Sequence, residues 1–143
     1  LVDIWHFGLS LLLLKGHSVE DITAIVESEF SNPKSSGDFA ADLEQFTETT
    51  LSTKDFDLSG FARLMAGINM DFETLYIGYV GKNVLNFFRQ DHGYQDGSYQ
   101  KLWGGTEDNE HLVDIVAQLD TSAEDFKDEL YQRMEKRYKE LHS

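Results

Sequence analysis

Apolar residues in this 143-residue chain recur three and four positions apart rather than at every second position, and the one proline, Pro33, lies in a polar stretch. Such spacing favours helices over strands, because side chains at i, i+3, i+4 and i+7 share one helix face. The pattern predicts an all-α fold, a multi-helix bundle forming a single domain over residues 1–143. A first helix runs to about Lys15. Ser18, with Asp21 three residues on, has the form of a capping box opening a second helix that ends near Phe30. Residues 31–37, SNPKSSG, are the clearest linker. A third helix covers about 38–52, with Phe39, Leu43 and Phe46 on one face, and a fourth covers about 57–68. Asp71 is the expected N-cap of a long fifth helix reaching Gln90. A Gly- and Tyr-rich loop fills about 91–106, and a sixth helix starts near Glu107. Thr121 with Glu124 is expected to cap a final, solvated helix held by i, i+4 charge pairs.

Charge narrows the function. With 26 acidic against 12 basic residues the formal net charge is −14. A polyanion is repelled by most of such a surface, which argues against a broad nucleic-acid or anionic-membrane partner. Small anions remain possible where the few cations converge. Between Arg63 and Lys127 the only cations are Lys82, Arg89 and Lys101. No cysteine is present, which excludes thiolate metal sites, disulfides and a Cys nucleophile, and an intracellular, cytoplasmic location is expected. The apolar run at 7–14 is too short to span a bilayer. Leu1 already lies within an apolar run, so the first helix reads as cut short, with further N-terminal sequence expected.

Two polar stripes interrupt apolar helices. The first helix is apolar nearly all round, which predicts burial on every side. Asp3, His6 and Ser10 share one of its faces. A carboxylate on a buried helix needs a cation, a metal or several hydrogen bonds. By residue type His6 is the acid–base candidate of this stripe, and a structural ion pair beside a core histidine is the alternative reading. On the fifth helix Lys82, Asn86 and Arg89 stand at i, i+4 and i+7. Two cations around an amide suit a ligand with an anionic tail and a polar, planar head. The alternative is a solvated face pairing with some of the many carboxylates. The loop that follows carries Gly93, Gly97, Gly104 and Gly105 with Tyr94, Tyr99 and Trp103. It suits a flap closing over a ligand and bringing Lys101 to its phosphates, or a segment covering the protein's own core.

The segment GKNVLNFFRQDHGYQDGSYQKLWGGTEDN (81–109) closely resembles the signature of the dimeric, all-α dUTPases, relatives of the MazG-like nucleotide pyrophosphatases. LVDIWHFGLS, at the start, resembles the second metal motif of the same family. The resemblance implies hydrolysis of dUTP and dUDP to dUMP, with Mg²⁺ as cofactor, in a homodimer. The apolar surface of the first helix, larger than one packing face needs, gives modest support for dimerisation.

Carried over by position, Asp3 matches a metal-binding, catalytic carboxylate, and its Glu partner would precede Leu1. His6 and Phe7 would lie against uracil, with Phe7 stacking on the base. Asn86 would read the uracil edge. Lys82, Arg89, Tyr94 and Lys101 would bind the phosphate chain, and Asn109 would support its metal end. Gly104 stands where relatives often have Asn, and Gln95 where they often have Lys. Two other readings stay open: a related nucleotide pyrophosphatase with another base preference, and an acidic helical interaction module without turnover.

Overall fold

The computed structural model describes residues 1–142. Among them the backbone forms α1 Val2–Leu14, α2 Val19–Phe30, α3 Phe39–Thr53, α4 Leu58–Gly67, α5 Phe72–Asp91, α6 Asp108–Val116 and α7 Phe126–Leu141. The strands among the described residues are β1 Leu102–Trp103 and β2 Thr106–Glu107, paired antiparallel with Trp103 opposite Thr106. The fold is all-α, as the apolar spacing predicts. Among the described residues no helix is long and apolar enough to cross a membrane.

Short polar side chains start most of these helices where the sequence places them. At α2 the Ser18 hydroxyl accepts the Asp21 N–H at 3.1 Å and the Asp21 carboxylate accepts the Ser18 N–H at 3.3 Å, completing the capping box. Asp38 accepts from the amides of Ala40 and Ala41 at α3, Asp57 from Gly60 at α4, and Asp71 from Thr74 at α5. The last helix differs from expectation: α7 begins at Phe126, not Thr121. The Asp120 carboxylate accepts both the N–H and the hydroxyl of Ser122, and this local turn competes with helix over residues 121–125.

The chain divides into two compact units, Leu1–Tyr76 and Ile77–Ser143, with the boundary inside α5. The first is organised around aromatic rings. Phe61 is fully buried, its ring centroid 5.6 Å from Trp5 and 5.5 Å from Phe56. Helix α1 buries Trp5, Gly8 and Leu12, which share one face. The rest of its surface is half-buried or open, with Phe7 71% and Leu14 86% exposed, so burial on every side is corrected to full burial of one face. Only that face meets the aromatic cluster.

In the second unit Val84, Leu85 and Phe88 of α5 pack with Trp103, Leu112, Ile115 and three residues of α7, Phe126, Leu130 and Met134. The expected surface pairs on α7 are present, Arg133 with Glu129 at 2.7 Å and Lys139 with Glu135 at 2.8 Å. The helix is nevertheless solvated on one side only, because its i, i+4, i+8 row is core.

At Gly8 the approach of α1 to Phe56 leaves no room for a side chain: a Cβ there would lie 2.5 Å from the Phe56 ring. Gly8→Ala should destabilise the chain by about 1–3 kcal/mol through overpacking, measured by urea unfolding. A variant as stable as the parent would show that the Phe56 ring moves aside freely.

Candidate functional site

In the first unit the α1 stripe faces solvent. Asp3, His6 and Phe7 are all exposed, and the His6 and Phe7 rings lie edge to face with centroids 5.6 Å apart. Burial therefore does not force a partner on Asp3. The Ser10 hydroxyl donates to the carbonyl of His6 at 2.8 Å, a bond within the helix. Asp3 is of the ligand type that Mg²⁺ prefers. Among the described residues no three His, Cys, Asp or Glu side chains converge to hold a metal ion. These residues thus fit Mg²⁺ as one carboxylate ligand and do not build a complete site.

The second unit carries Lys82, Asn86 and Arg89 along α5, with Lys82 half-buried and Asn86 exposed. Arg89 is the member that is tied down. Its Nε and Nη2 each donate to Asp108, both at 2.8 Å, forming a side-on fork. Asp108 is 1% exposed, whereas the Arg89 side chain retains 12%. The Tyr99 hydroxyl donates to the same carboxylate at 2.9 Å. Three segments meet in this network: the end of α5, the loop after it and the first residue of α6.

Each titration follows from that geometry. Burial alone would raise the Asp108 carboxyl, but the hydrogen bonds from Arg89 and Tyr99 and the guanidinium charge outweigh it and hold the group below the usual carboxylate range. The Arg89 guanidinium is pushed up by its bonds to Asp108. Burial, followed by the bond to the neighbouring carboxylate, pushes the Tyr99 phenol well above its ordinary value.

The loop brings two more candidates together: the Lys101 ammonium lies 5.5 Å from the centre of the exposed Tyr94 ring. The Lys101 carbonyl accepts the Asp108 N–H at 2.9 Å, and the half-buried Asn109 follows Asp108 in the first turn of α6. Among the described residues neither Lys82 nor Lys101 forms an ion pair. Gly104 and Gly105, at φ +59° and +92°, turn the two-residue hairpin. Asn-Gly and Gly-Gly both suit such a turn, so Gly104 in place of Asn keeps its backbone. The indole N–H of Trp103 donates to the Gln100 carbonyl at 3.1 Å and the Nε2–H of His111 to the Trp103 carbonyl at 3.0 Å, pinning the hairpin. Tyr99 and Trp103 are therefore core residues, the second of the two readings of this loop.

Sequence reasoning missed the Asp108–Tyr99 anchor. An acidic residue opening a helix ordinarily reads as a solvated cap, and only the pairing with Arg89 nineteen positions earlier distinguishes this one. The cavities lie elsewhere. One of about 410 Å³ in the first unit is lined by Trp5, Leu9, Ile22, Val26, Phe30 and Phe72 among others, with Thr23 and Glu27 as its polar groups, an environment hostile to phosphate. Another of about 240 Å³ in the second unit is bounded by Val84, Phe87, Asp91, Lys127, Asp128 and Tyr131. Neither is lined by a candidate site residue.

The anchor has a pH signature. A carboxyl whose folded-state pKa is depressed stabilises the fold fully above its unfolded value, about 4, and the contribution is lost as pH falls through the lower folded value. Asp108→Asn should cost about 3 kcal/mol at neutral pH. In urea unfolding at pH 7 and pH 3 the gap between parent and variant should narrow in acid. A constant gap would mean that the Asp108 charge is not what stabilises this corner.

Among known proteins, a family model described as dUTPase matches residues 1–94. The match takes in all of the first unit and all of α5, and it ends at Tyr94, before Lys101 and Asn109. No curated protein matches the chain.

Proposed function

The chain belongs to the all-α dUTPase family, and from that premise we propose that it hydrolyses dUTP and dUDP to dUMP, limiting the uracil available for incorporation into DNA. The observation that carries the reading is the family match across residues 1–94, which includes the polar faces of both α1 and α5. In the proposed reaction a water oxygen attacks one phosphorus of the α,β-phosphoanhydride and the bond from that phosphorus to the bridging oxygen breaks. dUTP is thereby split into dUMP and pyrophosphate, or dUDP into dUMP and phosphate, and the water loses a proton to base or solvent.

Mg²⁺ is proposed as cofactor: when bound it supplies charge neutralisation and activation of water, and Asp3 is the residue here that would hold it. Phe7, exposed on α1, offers a ring face on which uracil can stack, with His6 beside it. Asn86 both donates and accepts, matching the carbonyl and N–H of the uracil edge and leaving a cytosine amine mispaired. Lys82 and Lys101, free of ion pairs among the described residues, would offset charge on the phosphate oxygens, with Arg89 and Tyr94 contributing donors. Asn109 would support the metal end of the chain of phosphates. A homodimer is proposed from the family resemblance.

Calorimetric titration with a non-hydrolysable dUTP analogue, with and without Mg²⁺, tests the assignments even where turnover is slow. Asn86→Ala should erode preference for the dUTP analogue over its dCTP counterpart about tenfold or more. Lys82→Ala should weaken both nucleotides alike. If both variants bound like the parent, the α5 face would not be the nucleotide site.

A further inference from the structure

Arg89 does not stand on this face as a free cation, and its partners point to a division of labour within the guanidinium. Two of its five N–H groups, on Nε and Nη2, are committed to Asp108, which is removed from water and is itself held by Tyr99. The committed edge is the side of the planar group. The end edge, made of Nη1 and the second Nη2 hydrogen, lies outside this network, on a side chain that keeps some exposure. A planar fork fixed along one edge loses little freedom when the other edge takes up an anion.

We propose that Asp108 and Tyr99 are positioning residues: together they clamp the side edge of Arg89 so that its end edge is held ready for a phosphate group of the nucleotide. This rests on the reading of the α5 face as the nucleotide site. Asp108 and Tyr99 touch no substrate themselves. Their reach extends to the loop, since the Asp108 N–H binds the Lys101 carbonyl and the Tyr99 ring lies 6.2 Å from that of Tyr94. Pure stabilisation is a weaker account, because a buried ion pair is often no better for stability than apolar residues of the same volume.

Three variants of the full chain test the clamp: Asp108→Asn, Tyr99→Phe and Arg89→Lys. The readouts are calorimetric binding of the non-hydrolysable dUTP analogue and of deoxyuridine, at a temperature where circular dichroism shows each variant folded. Asp108→Asn should weaken the triphosphate analogue about 10- to 100-fold, the range of a lost charge-assisted hydrogen bond, and leave deoxyuridine unchanged. Tyr99→Phe, which keeps the ion pair, should give a smaller loss with the same selectivity. Arg89→Lys keeps a cation for Asp108 but has no end edge, and should lose affinity at least as severely as Asp108→Asn.

Loss for Arg89→Lys with parental binding in the other two would overturn the clamp and leave the nucleotide site standing. Parental binding by Arg89→Lys would overturn the role of Arg89, and the clamp with it. Equal losses for the triphosphate and deoxyuridine would reduce Asp108 to a fold-stabilising residue and overturn the proposal. Should Asp108→Asn fail to fold, Tyr99→Phe and Arg89→Lys carry the same decision.

Discussion

A carboxylate almost wholly removed from water opens α6, and the second unit tolerates it only because a guanidinium and a phenol reach it from two other segments. Burying a lone carboxylate costs several kcal/mol, so Asp108 constrains everything that touches it. The end of α5 must present Arg89, the Gly-rich loop must fold back far enough to present Tyr99, and α6 must start where it does. The hairpin then closes over the core through Trp103, fastened by His111. What reads as a flexible glycine- and tyrosine-rich loop is held at several points, and Lys101 and Tyr94 are carried on a fixed frame.

How much of this was legible depended on distance along the chain. Caps are local events in which one side chain meets an amide two or three residues away, so Ser18 and Asp71 could be read directly and stand where expected. Helical spacing is likewise local, and the all-α fold followed from it. Where two local signals compete, reading fails: Thr121 and Glu124 resemble a cap, but Asp120 binds Ser122 and delays α7 to Phe126. The hairpin has a local signal of its own, since Gly104-Gly105 between short apolar and β-branched residues is a turn that strands use.

The candidate site was legible as residue types on faces, and less so as chemistry. Spacing placed Lys82, Asn86 and Arg89 on one side of α5 but did not reveal which cation was already engaged, because Asp108 lies nineteen residues away and looks like any acidic helix start. On α1 the apolar character predicts burial all round, whereas the fully buried residues are those of the Trp5–Gly8–Leu12 face. Apolarity says that a surface benefits from leaving water; it does not say which surface finds a partner.

The engagement of Arg89 alters the electrostatic reading of the α5 face. Counted from sequence, Lys82, Arg89 and Lys101 are three positive charges in a strongly acidic chain. Counted with its buried partner, the Arg89 charge is balanced by Asp108 and is felt by a ligand only at short range, through the end of the guanidinium. Under the proposed function two lysines would be left to oppose a triphosphate, against a protein whose net charge repels it. That deficit is itself a reason to expect a divalent cation to accompany the nucleotide. On the proposed reading the lysines and a metal would supply charge, and Arg89 direction.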